Sequence, residues 1–460
     1  MSDPVEEYDL LVVGGGKAGK TLAMDWAKAG RRVAMVERRM IGGTCINVAC
    51  IPTKALVTSA RAVRILERAQ QLGLVAGEPK VEVELLRAHK TGVVDGMVAG
   101  NYRQFLDSGM DLVLGEARFV AERTVEVTLN AGGSRRIRGA EVVINTGTRP
   151  RVPGIPGLFG AGVLTSDTLL ELERLPERLT VVGGGVVGLE FAHMFAAFGS
   201  RVTLIESGDR LLPREDEDIA KAVTDLLAAD GVEVVTGSAV ASLERAANGE
   251  VTTTLADGTR LTGDDVLVAV GRTPVTAELD LESAGVATDP AGFVVVDDHL
   301  STSAPHTWAA GDVAGSRQFT HVSLDDYRIL KANLAGGSRS TRDRLIPYTV
   351  FLTPELARVG LTEAQARAAG HRVRVAKLPV AAIPRARTVR ETAGLFKAVV
   401  DAETDRILGV SLLGPEAGEV VTIVQTAMLA DLPYTALRDM IITHPTMGEA
   451  LNLLFAAFQD

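Results

Sequence analysis

Short apolar runs, glycine-rich turns and stretches of helical spacing alternate along the chain in a regular order. Residues 8–13 form the first apolar run, followed by Gly14-Gly15-Gly16-Lys17-Ala18-Gly19, helix-period positions to Ala29, and a second run over 32–36 that ends at Glu37. That order predicts a complete β-α-β unit. In such a unit Gly14 permits the tight turn, Gly16 admits a pyrophosphate to the backbone, and Gly19 lets the helix pack on the strand. Glu37 is placed to accept from ribose hydroxyls.

The unit occurs twice. A strand over 179–182 precedes Gly183-Gly184-Gly185-Val186-Val187-Gly188, a helix to Phe198 follows, and a strand over 201–205 ends at Glu206. One offset of about 169 residues carries Gly14, Gly16, Gly19, Gly30 and Glu37 onto Gly183, Gly185, Gly188, Gly199 and Glu206, the mark of an internal repeat. Two fingerprints imply two dinucleotides, and the common reason to bind two is electron passage between a flavin and a nicotinamide.

Turn residues divide the rest. Pro150, Pro153, Gly154, Pro156 and Gly157 form a connector, and Gly271-Arg272-Thr273-Pro274 marks the exit from the second unit. The first domain is therefore expected to be interrupted, with residues 1–149 and 272–346 forming one dinucleotide-binding domain and residues 150–271 the other. Beyond Pro347, strand-like runs over 348–352, 395–401 and 408–413 alternate with helical stretches and carry no phosphate loop, which predicts a third domain over 347–460. The fold expected is α/β, with two Rossmann-like domains and a C-terminal α+β domain. The acidic run from Glu215 to Asp218 reads as a solvated helix start.

Charge and composition narrow the partners. Of 460 residues, 48 are Lys or Arg and 58 are Asp or Glu, a net charge of -10, so no broad basic field exists to meet nucleic acid. The acidic start of the chain lacks the basic and apolar regions of a secretory signal, and no apolar run is long enough to span a bilayer. A cytoplasmic protein is expected. Its two cysteines, Cys45 and Cys50, stand five apart, a proximity that chance gives about one time in fifty. In a reducing compartment such a pair is redox-active or metal-binding. The seven histidines are scattered without metal-type spacing, so a redox pair is expected and no metal site.

The segment Gly42-Gly43-Thr44-Cys45-Ile46-Asn47-Val48-Ala49-Cys50-Ile51-Pro52-Thr53-Lys54 resembles the redox-disulfide signature of the flavin-dependent pyridine nucleotide-disulfide oxidoreductases, the family of dihydrolipoamide dehydrogenase, glutathione reductase and mercuric reductase. Ala49 departs from the glycine usual there. The resemblance extends over the whole chain. Thr307-Trp308-Ala309-Ala310-Gly311-Asp312 is similar to the second flavin motif, with Asp312 on the ribityl chain, and Asn145-Thr146-Gly147-Thr148 is similar to the strand-turn where the nucleotide domains meet. It implies that Gly14, Gly16, Gly19, Glu37, Gly43, Thr44, Lys54, Thr146, Gly147, Thr148, Asp312, Phe319, Thr320 and His321 serve FAD. The nicotinamide then falls to Gly183, Gly185, Gly188, Glu190, Glu206 and Gly271.

By the same resemblance Cys50 is the flavin-facing thiolate, Cys45 meets the substrate, and Lys54 pairs with Glu190 beside the flavin. His444 and Glu449 match the family's dyad, whose imidazole reaches the other subunit's interchange cysteine, which implies a homodimer with a shared site. Glu206 would repel the 2'-phosphate of NADPH, so NADH is the expected reductant, with nearby Arg210 acting against that preference.

The chain has no third cysteine, unlike mercuric reductases with their C-terminal thiol pair. The segments 17–23, 319–329 and 379–387 instead resemble the reactive chlorine resistance reductases of the RclA type. This implies a Cys45 thiolate attacking the sulfur of an oxidant such as hypothiocyanous acid, with thiocyanate leaving and Cys50 closing the disulfide. Copper(II) reduction is also associated with that branch. A dihydrolipoamide dehydrogenase or mercuric reductase-like enzyme is the alternative, and a flavin-containing binding protein the non-enzymatic one.

Overall fold

In the computed structural model the residues described are 4–160, 162–171 and 173–458. The first three residues of the acidic start lie outside them. The chain forms two compact units: the first takes in residues up to Ala55, Arg87–Arg151 and Arg272–Arg344, and the second Leu56–Leu86, Val152–Gly271 and Leu345 onward.

The first unit is built on a six-stranded sheet. Its parallel core runs Asp111–Ala121, Val33–Glu37, Val5–Val13, Ser134–Ile144 and Thr307–Ala309, each strand paired in register with the next. Val33–Glu37 is buried along its whole length. Burial on both faces is why the sequence shows unbroken apolar runs here rather than alternation. Asp111–Ala121 leaves the parallel core at Gly115 to pair antiparallel with Thr124–Leu129, which returns along Ser134–Ile144. The helices Lys17–Lys28 and Thr320–Leu334 cover one face, where Leu10, Val12, Leu22, Met35, Ile329 and Leu330 pack with essentially no exposure.

The second unit repeats the plan on a smaller scale. A four-stranded parallel sheet is ordered Asp265–Val268, Arg178–Val182, Arg201–Ile205, Val232–Val235. Beside it in the chain is the antiparallel meander Val240–Arg245, Val251–Leu255, Arg260–Gly263. The C-terminal part is a five-stranded antiparallel sheet, Tyr348–Val350, Glu355–Gly360, Ile407–Gly414, Leu395–Asp401 and Val373–Pro379 in that order, with helices Ala417–Leu429 and Ala450–Ala456.

The hydrogen bonds reproduce the internal repeat. Gly14 N donates to Val36 O and Gly183 N to Ile205 O, both at 2.8 Å. Asn145 N donates to Val13 O at 2.7 Å, and Ala269 N to Val182 O at 2.8 Å. A methyl at Gly14 would sit 2.5 Å from the Asn145 carbonyl oxygen, and one at Gly183 2.5 Å from that of Ala269. Glycine is required at both turns by this close approach as well as by their positive φ.

One expectation fails. The run Glu215–Asp218 does start a helix, Glu217–Ala229, but of its four carboxylates only Glu217 is exposed. The Glu215 side chain is 1% exposed and pairs with Arg358 at 3.2 Å. Lys397, 3% exposed, bridges Asp216 at 3.0 Å, Asp218 at 3.1 Å and Glu363 at 2.9 Å. Burial alone would lower the lysine's pKa, but the three carboxylates prevail and raise it. The basic partners lie more than a hundred residues away in the C-terminal sheet, where no local pattern announces them. Removing one member of a buried ion cluster costs about 3–5 kcal/mol because the rest stay buried and unpaired. Lys397→Met should lower unfolding stability by that amount, read as a fall in the urea midpoint with unchanged slope at matched flavin content.

Candidate active site

The two cysteines sit at the starts of consecutive helical segments. Cys45 is the second residue of Thr44–Asn47, and Cys50 opens Cys50–Glu67. Both are partly buried free thiols. Cys50 Sγ lies 3.6 Å from the hydroxyl of Thr320, the first residue of the Thr320–Leu334 helix, which brings together residues 270 apart in sequence. The Cys45 thiol is pushed upward, first by its hydrogen bond with Cys50 and then by burial, while Thr320 and Lys20 pull it down. A pair coupled this closely titrates as one unit.

The first glycine fingerprint closes around one side chain. Gly19 N donates to Asn145 Oδ1 at 2.9 Å, and Asn145 Nδ2 donates to the Ala310 carbonyl at 2.6 Å. Gly16 caps the Lys17–Lys28 helix and brings no side chain of its own, while Ala18 N donates to Ser323 Oγ at 3.2 Å, and the dipole of this N-terminus favours an anion such as a pyrophosphate. Gly43 packs against it, so that a methyl there would be 2.9 Å from Gly16 Cα. Glu37 Oε2 accepts from Gly15 N, and its Oε1 accepts from Arg39 N and Met40 N, each at 2.8 Å. The carboxylate is thereby fixed at the strand end.

Asp312 is half-buried, and its desolvation pushes its carboxyl upward against the pull of Thr148. Thr148 Oγ1 donates to Asp312 at 2.7 Å and accepts from Arg272 Nε at 2.7 Å. Thr146 donates to Val275 O at 2.7 Å, and Gly147 takes φ +71°. Phe319 caps the Thr320–Leu334 helix, and its ring stacks on His321 with centroids 5.2 Å apart. The helix N-terminus at Gly16, the glycine cradle and the half-buried Asp312 together fit FAD.

In the second unit Gly185 caps Val186–Ala197 without a side-chain acceptor. Glu206 Oε2 accepts from Gly184 N and its Oε1 from Gly208 N, both at 2.7 Å. Arg210 turns toward the Pro213 carbonyl at 3.4 Å. Gly188 packs so closely on Gly183 that a methyl would meet its carbonyl oxygen at 1.9 Å. Gly271, at φ +111°, ends the unit. Glu190 is buried and accepts from Phe351 N at 2.9 Å. His193, one turn on, pairs with Asp230 at 2.6 Å, and Glu190 and His193 line a small cavity with Val57, Ala60, Phe351 and Thr353. Lys54 belongs to the first unit and Glu190 to the second.

His444 Nδ1 meets Glu449 Oε2 at 2.9 Å. The imidazole side chain is 71% exposed and the carboxylate 12%, so a sheltered acid holds an accessible base in one orientation. Two residues escaped the sequence reading as site components. Asp326, fully buried, accepts from Gly311 N at 2.7 Å and pairs with Arg344 at 2.6 Å, which anchors the turn that carries Asp312. Lys20, also buried, bonds into the redox loop. Its one signal was a lysine on the buried face of a fingerprint helix.

The pyridine nucleotide-disulphide oxidoreductase family pattern matches residues 8–326, and the family's dimerisation domain matches 346–454. The chain belongs to this family. It is an NAD(P)H-dependent flavoprotein disulfide reductase with the glutathione reductase-like fold, and its dimerisation domain implies a homodimer. It is 44% identical over 459 residues to the probable pyridine nucleotide-disulfide oxidoreductase RclA of Escherichia coli (strain K12), covering 98% of this chain and 99% of that one. It is 38% identical to a dihydrolipoyl dehydrogenase of Thermus scotoductus, covering 97% and 96%. The solved Cu(II) complex of HOCl-induced flavoprotein disulfide reductase RclA from Escherichia coli superposes with a TM-score of 0.91 at 43% identity, covering 98% and 99%. The resemblance to the reactive chlorine resistance branch is thus borne out. Among the described residues no group of three or more His, Cys, Asp or Glu could hold a metal ion, and no helix is long and apolar enough to cross a membrane.

If Cys50 is the sulfur that faces the flavin, two-electron reduction of the holoenzyme should give a long-wavelength charge-transfer absorbance. Cys50→Ser should abolish the band and Cys45→Ser should keep it. The opposite pattern would exchange the two roles.

Proposed function

We propose that the protein is a cytoplasmic, NADH-dependent reductase of small chlorine-derived oxidants, with hypothiocyanous acid its preferred acceptor. The sulfur accounting carries this reading. Both cysteines of the chain lie in one site, so electrons leave directly from Cys45, and the acceptor needs only one reachable thiolate, a resolving thiol and a proton source. The RclA relative of Escherichia coli, described as HOCl-induced, supports the same class of oxidant.

FAD supplies the two-electron relay between the nicotinamide and the disulfide. Glu206, held by Gly184 and Gly208, accepts from the free ribose hydroxyls of NADH and repels a 2'-phosphate. The Cys45 thiolate attacks the sulfur of hypothiocyanous acid, so an S–S bond forms as the S–O bond breaks. The oxygen leaves as water with a proton from the partner subunit's His444, whose Nδ1 is held by Glu449. Cys50 then displaces thiocyanate and closes the disulfide. NADH and hypothiocyanous acid thus become NAD+, thiocyanate and water. Copper(II) is a second acceptor on this reading, supported by the Cu(II) complex of the same relative. The 38% identity to a dihydrolipoyl dehydrogenase favours lipoamide as the competing substrate.

Purified enzyme assayed with hypothiocyanous acid, copper(II), mercury(II), lipoamide and glutathione disulfide, each with NADH and with NADPH, tests the assignment. Hypothiocyanous acid should give the highest kcat/KM, and NADH should exceed NADPH at least tenfold, a gap of about 1.4 kcal/mol. A wide margin for lipoamide would make the protein a dihydrolipoamide dehydrogenase.

The shared site has its own test. Cys45→Ser and His444→Ala homodimers should both be inactive, whereas co-refolded heterodimers should regain activity because one of their two sites is intact. No recovery after verified mixing would place His444 in its own subunit's site or outside the chemistry.

A further inference from the structure

Lys20 is out of place in its helix. Its repeat counterpart is Leu189, and the two backbone amides make the same bond, each at 3.0 Å, to Gly16 O and Gly185 O respectively. Leu189 is fully buried, as that position demands, and Lys20 is 5% exposed. A buried ammonium is costly unless a charge or good acceptors compensate it. Its Nζ donates to the Gly42 carbonyl at 3.0 Å and to Asn101 Oδ1 at 2.7 Å, both neutral. Asn101 is fixed for this task, since its Nδ2 donates to Met97 O at 2.8 Å. Gly42 makes room for it: a methyl there would sit 3.3 Å from Asn101 Cγ and 2.8 Å from Ile46 Cδ1. The cation is therefore moored to the loop three residues before Cys45.

We propose that Lys20 is a positioning residue of the redox centre, whose buried positive charge makes the outer thiol, Cys45, easier to ionise. The charged and titratable groups that act on it are few. Lys17, on its own helix, repels it, and Cys45, from the redox loop, attracts it. The Val83–Ser108 helix contributes the neutral Asn101. On the Thr320–Leu334 helix, Lys331 and Tyr327 are engaged with Asp25 further along, and Asp326 is bound to Gly311 N and Arg344. Burial and Lys17 bring the Lys20 ammonium down to about 8, and the Cys45 charge opposes that fall. The coupling is reciprocal, so Lys20 lowers Cys45 in turn. With no carboxylate among the described residues to neutralise it, the ammonium's field is available to the thiol.

The inference rests on Cys45 being the outer nucleophile, and its test needs no oxidant substrate. Reduced holoenzyme is alkylated with iodoacetamide across a pH series, and the labelled cysteine is mapped by peptide mass. Thiolate is the reacting form, so the rising limb reports the ionisation of the labelled sulfur. Lys20→Met should move that limb up by about one pH unit, lowering the rate tenfold at fixed pH. Lys20→Gln, which keeps a donor but no charge, should lose as much, whereas Lys20→Arg should keep most of the parent rate. Label on Cys45 with a parental profile in either neutral variant, at equal flavin content, overturns the role of Lys20 alone. Label on Cys50 instead overturns the reading of Cys45 as the outer thiol, and the proposal with it.

Discussion

The carboxamide of Asn145 is the constraint around which the first unit is arranged. It accepts from the fingerprint helix at Gly19 and donates to the strand end at Ala310. A methyl at Gly16, Gly19 or Gly311 would come within 2.6, 2.9 or 3.0 Å of its side chain, and one at Gly14 would strike its backbone. One residue thus bears on four glycines, three in the fingerprint turn and one just before Asp312. Because Gly43 packs on Gly16 in turn, the loop that carries Cys45 inherits its position from the same point. A larger residue at any of these glycines would have to displace backbone, and with it the reactive thiols.

What could be read in advance was whatever is encoded locally. The strand Arg201–Ile205 and the strand Leu395–Asp401 end where the apolar runs end. The carboxylates Glu37 and Glu206 lie where the fingerprint places them, each accepting from the second glycine of its turn. The pairing of His444 with Glu449 came from the family resemblance, since a His five residues before a Glu is not by itself a sign of a dyad. What could not be read was partnership across the chain. Glu215 and Asp216 look like helix-start residues until Arg358 and Lys397 arrive from strands more than 140 residues on. Thr320, expected to serve FAD, also reaches Cys50 from 270 residues away, a contact that no local pattern announces.

Two ways of burying charge coexist in the molecule. In the second unit Lys397 is surrounded by three carboxylates, and the field of the group is spent within it. Such a cluster gives little to its surroundings and chiefly fixes the geometry of the elements that supply it. In the first unit Lys20 is held by amide oxygens, which satisfy its hydrogen bonds without cancelling its charge. A cation held in that way costs more to bury, and it also acts on a thiol near it. The difference is one of acceptor chemistry, invisible in a count of charged residues.

The two fingerprints differ in the same spirit. Ala269 occupies in the second copy the hydrogen-bonding position of Asn145, and alanine has no carboxamide with which to tie helix to strand. A methyl at Gly16 would collide, but at Gly185 it would find nothing within 4 Å. The first cradle is therefore locked by its own chain before any dinucleotide arrives, and the second is open at the place a pyrophosphate approaches. A preorganised cradle loses less freedom on binding and holds its ligand longer. That asymmetry suits a flavin that stays through every turnover and a nicotinamide that must leave after each one.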